Sequence, residues 1–185
     1  MPNESRANQE PLEGILPGLE RYLYTLCRGN YEAVHDCLQE TVIRVLKSSE
    51  GYRGEASYRT WVYQIGRNVA IDSFRRWKRR REREFSTETD GFSELPFRTG
   101  QNPEDLMLRN FEQKLVLDAL MGLPGKYRSC LYLKEIEGLG LKEIGQLLGV
   151  PEGTIKSRLF HARSKFARNY SRLANGKPRG GKSEN

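Results

Sequence analysis

Residues 141–158 read LKEIGQLLGVPEGTIKSR, and this stretch decides the fold of the second half of the chain. Between Leu141 and Leu148 the apolar residues recur mostly three or four positions apart, which is typical of a short amphipathic helix. Gly149-Val150-Pro151 interrupts this pattern, because glycine caps helices in the left-handed region and proline does not continue them. Glu152 then places a negative charge at the start of the next helix. The stretch therefore predicts a helix-turn-helix.

The second helix of this motif carries polar residues on the side opposite its apolar positions Ile155 and Leu159. Such a helix can enter the major groove of DNA, where cationic and hydroxyl side chains contact phosphates and base edges. The outward residues are Lys156, Ser157, Arg158, His161, Arg163 and Lys165. A helical hairpin with a solvated charged face is the alternative, but helix spacing, turn chemistry and charge together favour DNA binding.

The first half of the chain predicts three helices, near residues 12–28, 31–47 and 56–84. The third ends in a basic run at residues 75–83, which cannot be core, and it also carries Trp61, which we expect to be buried. Aromatic residues beside cations suit unstacked bases, whereas a solvated or nuclear-targeting charge run is the alternative. The expected buried stripe of the second helix consists of Val34, Cys37, Leu38, Thr41, Val42, Val45 and Leu46.

Charge is distributed unevenly along the 185 residues. The chain has 31 basic and 24 acidic residues, a net charge of +7. Residues 1–84 carry +3, residues 85–105 carry −4 and residues 106–185 carry +8. Basic modules attract polyanions such as nucleic acid. The acidic middle segment is rich in Ser, Thr, Gly and Pro and has no apolar periodicity, so it predicts a linker.

These patterns predict an all-α protein of two small helical domains joined by a flexible linker. We place the first domain at residues 12–84, the linker at 85–105 and the second domain at 106–172. The remaining segments, residues 1–11 and 173–185, are expected to be disordered tails. No apolar run is long enough to span a membrane, and the first eleven residues lack the apolar core of a secretory signal. We therefore expect a cytoplasmic protein without membrane insertion.

Enzymatic function is not favoured by the sequence. Cys27, His35 and Cys37 can in principle form part of a metal site, but a fourth ligand at a suitable spacing is missing. The odd cysteine count without a CxxC pair indicates a reducing compartment. No phosphate-binding loop and no nucleophile elbow occurs. We expect no catalytic residue, no metal and no cofactor. An ordinary DNA-binding regulator that uses residues 12–84 for dimerisation or sensing remains an alternative.

Several motifs in this order resemble the extracytoplasmic-function, or group four, bacterial sigma factors of the sigma-70 superfamily. The resemblance covers residues 12–170. In the first domain it rests on DCLQET at 36–41, YRGEASYRTW at 52–61 and IGRNVAID at 65–72. In the second it rests on LPGKYR at 123–128 and GTIKSR at 153–158. It implies a sigma subunit that binds core RNA polymerase and directs transcription from specific promoters.

The resemblance also implies roles for individual residues. The first domain, region two, would dock on the clamp of the largest polymerase subunit, and the second domain, region four, would meet the flap of the second-largest. The implied polymerase-binding residues are Asp36, Gln39, Glu40 and Arg44. The residues implied to contact the minus-ten element, as duplex and as single-stranded DNA, are Tyr52, Arg53, Tyr58, Asn68, Asp72, Arg75 and Arg76. Those for the minus-thirty-five element are Thr154, Lys156, Ser157, Arg158, His161, Arg163 and Lys165.

An anti-sigma factor is a further partner that the resemblance implies. In the free chain we expect the two domains to move independently about residues 85–105. In a complex with an inhibitor we expect them to pack together with their basic faces covered.

Overall fold

The structure is a computed structural model, and it describes residues 11–48, 52, 54–84 and 111–175. Within these ranges the regular structure is entirely helical, which confirms the all-α prediction. The helices are α1 (Leu12–Leu26), α2 (Tyr31–Ser48), α3 (Tyr58–Glu84), α4 (Phe111–Met121), α5 (Gly125–Glu135), α6 (Leu141–Leu148) and α7 (Glu152–Asn175). The predicted linker, residues 85–105, and residues 106–110 of the predicted second domain lie outside the described residues. Residues 173–175, which the sequence assigns to a tail, form the end of α7, where Leu173 and Ala174 are half-buried.

Helices α1, α2 and α3 pack on one another and form the N-terminal module. Its core takes Leu19 and Leu23 from α1, Val34 and Val45 from α2, and Val62 from α3. Apolar residues at helical spacing thus bury one face of each helix, as the sequence predicts.

The prediction that one stripe of α2 is buried is wrong at the last residue of that stripe, Leu46. Leu46 is 65% exposed, whereas its neighbour Val45 is only 1% exposed. Successive helical residues point about 100° apart, so Val45 occupies the inward direction and turns Leu46 away from the core. An exposed leucine therefore lies on the outer surface of α2.

Helices α4 to α7 form the C-terminal module, and α6, the turn and α7 form the predicted helix-turn-helix. Gly149 ends α6 with φ 68°, a left-handed conformation that favours glycine. The Val150 N–H then donates to the Gly145 carbonyl at 3.0 Å. A Cβ on Gly145 would lie 2.9 Å from the Val150 carbonyl oxygen, so the turn requires glycine at this position as well.

The two modules pack against each other, α1 with α5 and α3 with α6. Glu137, in the loop between α5 and α6, has a side chain that is only 2% exposed. Its carboxylate accepts a hydrogen bond from the Tyr63 hydroxyl at 2.7 Å and pairs with the Arg59 guanidinium. Burial and the neighbouring carboxylate raise the pKa of Tyr63, which keeps this hydroxyl protonated as a donor. We call this contact between the modules the seam.

Aromatic and polar contacts extend the seam on both sides of Glu137. Tyr22 of α1 stacks between Tyr63 and Tyr132, with ring centroids 5.7 and 5.6 Å apart. Glu143 of α6 lies at the N-terminus of α3, where its carboxylate accepts from the Ser57 hydroxyl at 3.3 Å. The positive end of the α3 dipole favours a carboxylate there. The structure therefore has the closed arrangement that the sequence leads us to expect only for an inhibited complex.

We expect Gly145→Ala to destabilise the protein by about 1–3 kcal/mol, because the added methyl group presses on the Val150 carbonyl in a packed turn. Gly153→Ala is the matched control, since a Cβ there meets nothing within 4 Å and alanine favours helix. Urea unfolding followed by circular dichroism measures both variants. Equal unfolding midpoints for the two variants would contradict the close contact.

Candidate polymerase and nucleic-acid interfaces

The outer face of α2 carries the predicted polymerase-binding residues, and the structure brings them together. Asp36 and Gln39 are exposed, while Glu40 and Arg44 are half-buried. The Arg44 guanidinium pairs with Glu40 at 2.7 Å, one helical turn apart. Spacings of three and four residues put all four side chains on one stripe.

Apolar residues on the same face are absent from the sequence prediction. Ile43 is 40% exposed and Leu46 is 65% exposed. Together with Gln39 they form an amphipathic surface, which is common at the centre of protein interfaces. Ile43 and Leu46 are exposed because of the way α2 is rotated against α1 and α3. Helical periodicity in the sequence does not determine that rotation. We call residues 36, 39, 40, 43, 44 and 46 the α2 face.

Ion pairs link the α2 face to the predicted DNA-binding side of α3. Arg44 lies 3.8 Å from the Asp72 carboxylate, and Arg75 lies 3.8 Å from its other oxygen. Asp72 thus balances two cations, one on each helix. This explains how an acidic side chain is accommodated on a surface predicted to contact DNA.

The predicted base-holding segment forms a cluster of aromatic rings at the start of α3. Tyr52 lies edge-on to Tyr58 with centroids 5.6 Å apart, and Trp61 lies 5.3 Å from Tyr52. The Tyr52 hydroxyl donates to the Ala56 carbonyl at 2.5 Å, which fixes the loop. All three rings are half-buried, and Tyr58 and Trp61 pack against the hydrophobic core from its edge. Trp61 is therefore less buried than the sequence predicts. Arg53 lies outside the described residues.

Further along α3, the predicted minus-ten residues share one side of the helix. Asn68, Arg75 and Arg76 are exposed and Asp72 is half-buried. Their spacing of four, three and one residues is that of a single helical stripe. Asparagine, which can bond an adenine edge with two hydrogen bonds, stands here beside arginines that can bind phosphates or guanine.

Helix α7 presents most of the predicted minus-thirty-five residues to solvent. Lys156, Ser157 and His161 are exposed, and Lys156 pairs with Glu152 at 3.1 Å. Thr154 is half-buried, and its carbonyl accepts a hydrogen bond from Ser157 at 3.0 Å. Phe160 on the same surface is 71% exposed and was not among the predicted contact residues, which are all polar. An exposed ring can contact the methyl group of thymine.

Three predicted basic residues of α7 have partners within the C-terminal module. Arg158 is half-buried and its charge acts on the buried Cys130 thiol, so it is less exposed than the sequence predicts. Burial raises the pKa of that thiol, while the charges of Arg158 and Arg67 act in the opposite direction. Arg163 bonds to Glu135 at 2.7 Å, and Lys165 lies over the Tyr127 ring at 5.9 Å.

Two features are absent from the part of the chain that the structure describes: a group of metal ligands and a helix that could span a membrane. No three His, Cys, Asp or Glu side chains there are grouped closely enough to hold a metal ion. None of the described helices combines the length and the apolar character that crossing a bilayer requires.

Two known sequence families match the two modules. The sigma-70 region 2 family matches residues 13–81, and the sigma-70 region 4 family matches residues 113–166. Both the α2 face and the aromatic cluster lie within the first match, and the helix-turn-helix lies within the second. The order of the modules is therefore that of a sigma factor.

Curated relatives extend the match across both modules. An ECF RNA polymerase sigma-E factor of Haemophilus influenzae is 31% identical over 133 residues, which is 70% of each chain. The sigma-E factors of Salmonella typhimurium and Escherichia coli K12 are 32% identical over 136 residues, again 70% of each chain.

Solved structures share the fold. The sigma factor RpoE in complex with the anti-sigma factor NepR from Bartonella quintana superposes with a TM-score of 0.67 at 20% identity, covering 90% of this chain and 96% of that one. CnrH in complex with the cytosolic domain of CnrY gives a TM-score of 0.54 at 18% identity, with coverages of 94% and 95%. From the paired family matches and the curated relatives, the chain belongs to the extracytoplasmic-function sigma factors of the sigma-70 family, which direct RNA polymerase to promoters.

Proposed function

We propose that the N-terminal module docks on core RNA polymerase and reads the minus-ten element, while α7 reads the minus-thirty-five element. The observation that carries this proposal is the presence of two basic, largely exposed helical surfaces, on α3 and α7, in a chain of this family. The protein acts in the cytoplasm and needs no catalytic residue or cofactor of its own. Binding energy for extruded bases offsets the lost stacking, about a few kcal/mol per base.

The α2 face is the surface proposed to bind the polymerase clamp. It combines exposed Asp36 and Gln39 with the exposed apolar side chains of Ile43 and Leu46. Apolar groups supply affinity when they are covered, and polar neighbours fix the orientation of the partner. On the C-terminal module, the exposed apolar side chains of Val116 and Ile136 border a groove that suits the polymerase flap.

The aromatic cluster and the adjoining stripe of α3 are the surface proposed for the minus-ten element. Tyr52 and Tyr58 offer rings on which an extruded base can stack. Asn68 supplies base-specific hydrogen bonds, and Arg75 and Arg76 supply contacts to phosphates or bases. Arg53 belongs to the same proposed surface by its sequence position.

The exposed side of α7 is the surface proposed for the minus-thirty-five element. Lys156, Ser157 and His161 are already turned to solvent, and Thr154 lies at the helix N-terminus, where backbone N–H groups attract phosphate. Arg158 is half-buried, so it has to extend further from α7 before it can reach a base. Arg163 and Lys165 lie further along the helix, where contact with the DNA backbone is the simpler role.

An anti-sigma factor is the partner proposed to hold the closed arrangement. The loop at residues 54–57 bonds to α6 there, through Ser57 to Glu143 at 3.3 Å and through Gln146 to the Glu55 carbonyl at 3.5 Å. An extruded base must enter beside this loop. Opening of the seam therefore precedes promoter opening in this proposal.

We expect Gln39→Ala combined with Leu46→Ala to weaken binding to core polymerase by about tenfold or more, because buried interface side chains each contribute around 1 kcal/mol or more. Glu20→Ala, an exposed acidic residue on α1, is the control. Titration of fluorescently labelled core measures both. Unchanged affinity in the double variant, with circular dichroism like the wild type, would remove the α2 face from the interface.

We expect Asn68→Ala to reduce open-complex formation by about ten- to hundredfold, since a base-reading pair contributes about 1–3 kcal/mol. Arg79→Ala, an exposed cation on the same helix, should instead weaken binding to all DNA sequences and reduce the salt dependence. Run-off transcription with core polymerase on a pool of genomic fragments, followed by permanganate footprinting on a selected promoter, measures both. If the wild-type chain directs core to no specific start site, the proposed function fails.

We expect Glu137→Gln to open the seam, because it removes a charge-assisted contact that contributes about 1.5–3 kcal/mol. Glu135→Gln is the matched control, since Glu135 is exposed and pairs within its own module. Small-angle scattering should give a larger radius of gyration for the Glu137 variant, and its affinity for core should rise. A scattering curve identical to that of the wild type would contradict the role of Glu137.

A further inference from the structure

Two cysteine side chains from different helices meet in the N-terminal module. Cys27 ends α1 as its C-cap, and Cys37 lies in the second turn of α2. Both are buried, and each thiol shifts the pKa of the other. They lie at a pocket of about 110 Å³. The side chains of Arg28, Ser73, Phe74 and Trp77 also line this pocket.

The environments of the two sulfur atoms differ in a way that matters for their chemistry. Interactions with Cys27 and Ser73 and the charge of Arg76 lower the pKa of Cys37, against the effects of burial and of Asp36. The interaction with Cys37, together with burial, raises the pKa of Cys27. The two pKa values are therefore shifted in opposite directions, which favours Cys37 as the nucleophilic cysteine and Cys27 as the resolving one.

The two cysteines belong to different kinds of backbone. Cys27 lies in the turn after α1, where Arg28 has φ 53° and Gly29 has φ 81°. Cys37 lies inside α2. A disulfide, which needs its Cα atoms about 4.4–6.8 Å apart, would therefore join the end of α1 to the interior of α2.

We propose that Cys27 and Cys37 are a redox-modification site that forms a reversible intramolecular disulfide with hydrogen peroxide as oxidant. Cys37 reacts as its thiolate and attacks one peroxide oxygen, and the O–O bond breaks. Cys37 becomes a sulfenic acid, and the departing hydroxide takes one proton from solvent to form water. The Cys27 sulfur then attacks the Cys37 sulfur and displaces hydroxide, which leaves as water with the Cys27 proton. Two thiols lose two electrons in all, and hydrogen peroxide is reduced to two waters.

A metal ion is a less suitable occupant of the same place. The described residues supply no third His, Cys, Asp or Glu ligand near the pair. Cys130, the remaining cysteine, lies buried in α5 of the other module. It therefore serves as an internal control for the reactivity of an isolated buried thiol.

The test treats the reduced full chain with hydrogen peroxide under native conditions and blocks remaining thiols with iodoacetamide. Trypsin cleaves after Arg28, so the disulfide joins peptides 22–28 and 29–44, and mass spectrometry detects that pair. We expect it in the wild type and in Cys130→Ala, and we expect dithiothreitol to reverse it. Cys27→Ala and Cys37→Ala should each lose it. Before oxidation, iodoacetamide should label Cys37 roughly tenfold faster than Cys130.

Circular dichroism before and after oxidation shows whether the reaction occurs in the folded chain. Retained helix content with the linked peptides supports the proposal. Three outcomes would each overturn it. The linked peptides could form only in urea, the disulfide could form with Cys130, or Cys37 of the wild type could be oxidised to sulfinic acid without any linkage. Because the readout is the wild-type chain and Cys130→Ala, poor folding of the Cys27 or Cys37 variants does not affect the result.

Discussion

Burial of the Glu137 carboxylate between the two modules is the constraint on which the closed arrangement depends. Removal of a carboxylate from water costs several kcal/mol unless charged and hydrogen-bonding partners replace the solvent. Those partners, Arg59 and Tyr63, both come from α3, whereas Glu137 belongs to the loop between α5 and α6. Partial separation would leave the charge buried without its partners. The seam is therefore either fully formed or open to water, and intermediate separations are unfavourable.

The position of the seam on α3 determines which proposed surfaces it affects. The N-terminal part of α3 carries Arg59 and Tyr63, and the minus-ten stripe begins at Asn68 on the same continuous helix. The α2 face, by contrast, has Asp36 and Gln39 exposed in the closed arrangement. On the proposed function, core polymerase can thus engage α2 before the seam opens. Base extrusion beside the loop at residues 54–57 requires the opened state, so docking and promoter reading become sequential steps.

Sequence reasoning predicted the features that depend on local periodicity and failed on those that depend on tertiary contacts. The bounds of α2 and α6 and the turn at Gly149 follow from apolar spacing and glycine chemistry. Leu46 and Arg158 were misplaced because both lie at the edge of a stripe, where helix rotation in the packed module decides exposure. The seam was not predictable, since Glu137 resembles any loop acid until Tyr63, 74 residues earlier, is brought to it. The pairing of Cys27 with Cys37 was likewise not predictable from the sequence, because it depends on how α1 and α2 pack against each other.

The thiol pair and the seam contact different parts of the same helix, α3. The pocket at Cys27 and Cys37 is walled by Ser73, Phe74 and Trp77, whereas Tyr63 belongs to the seam. At 1.5 Å per residue, the ten residues from Tyr63 to Ser73 separate the two places by about 15 Å along α3. A disulfide at the pocket would tie α1 to α2 beside the start of the basic run without touching Glu137. The proposed oxidation therefore bears on how α3 presents Arg75 and Arg76, and it leaves the contact between the modules intact.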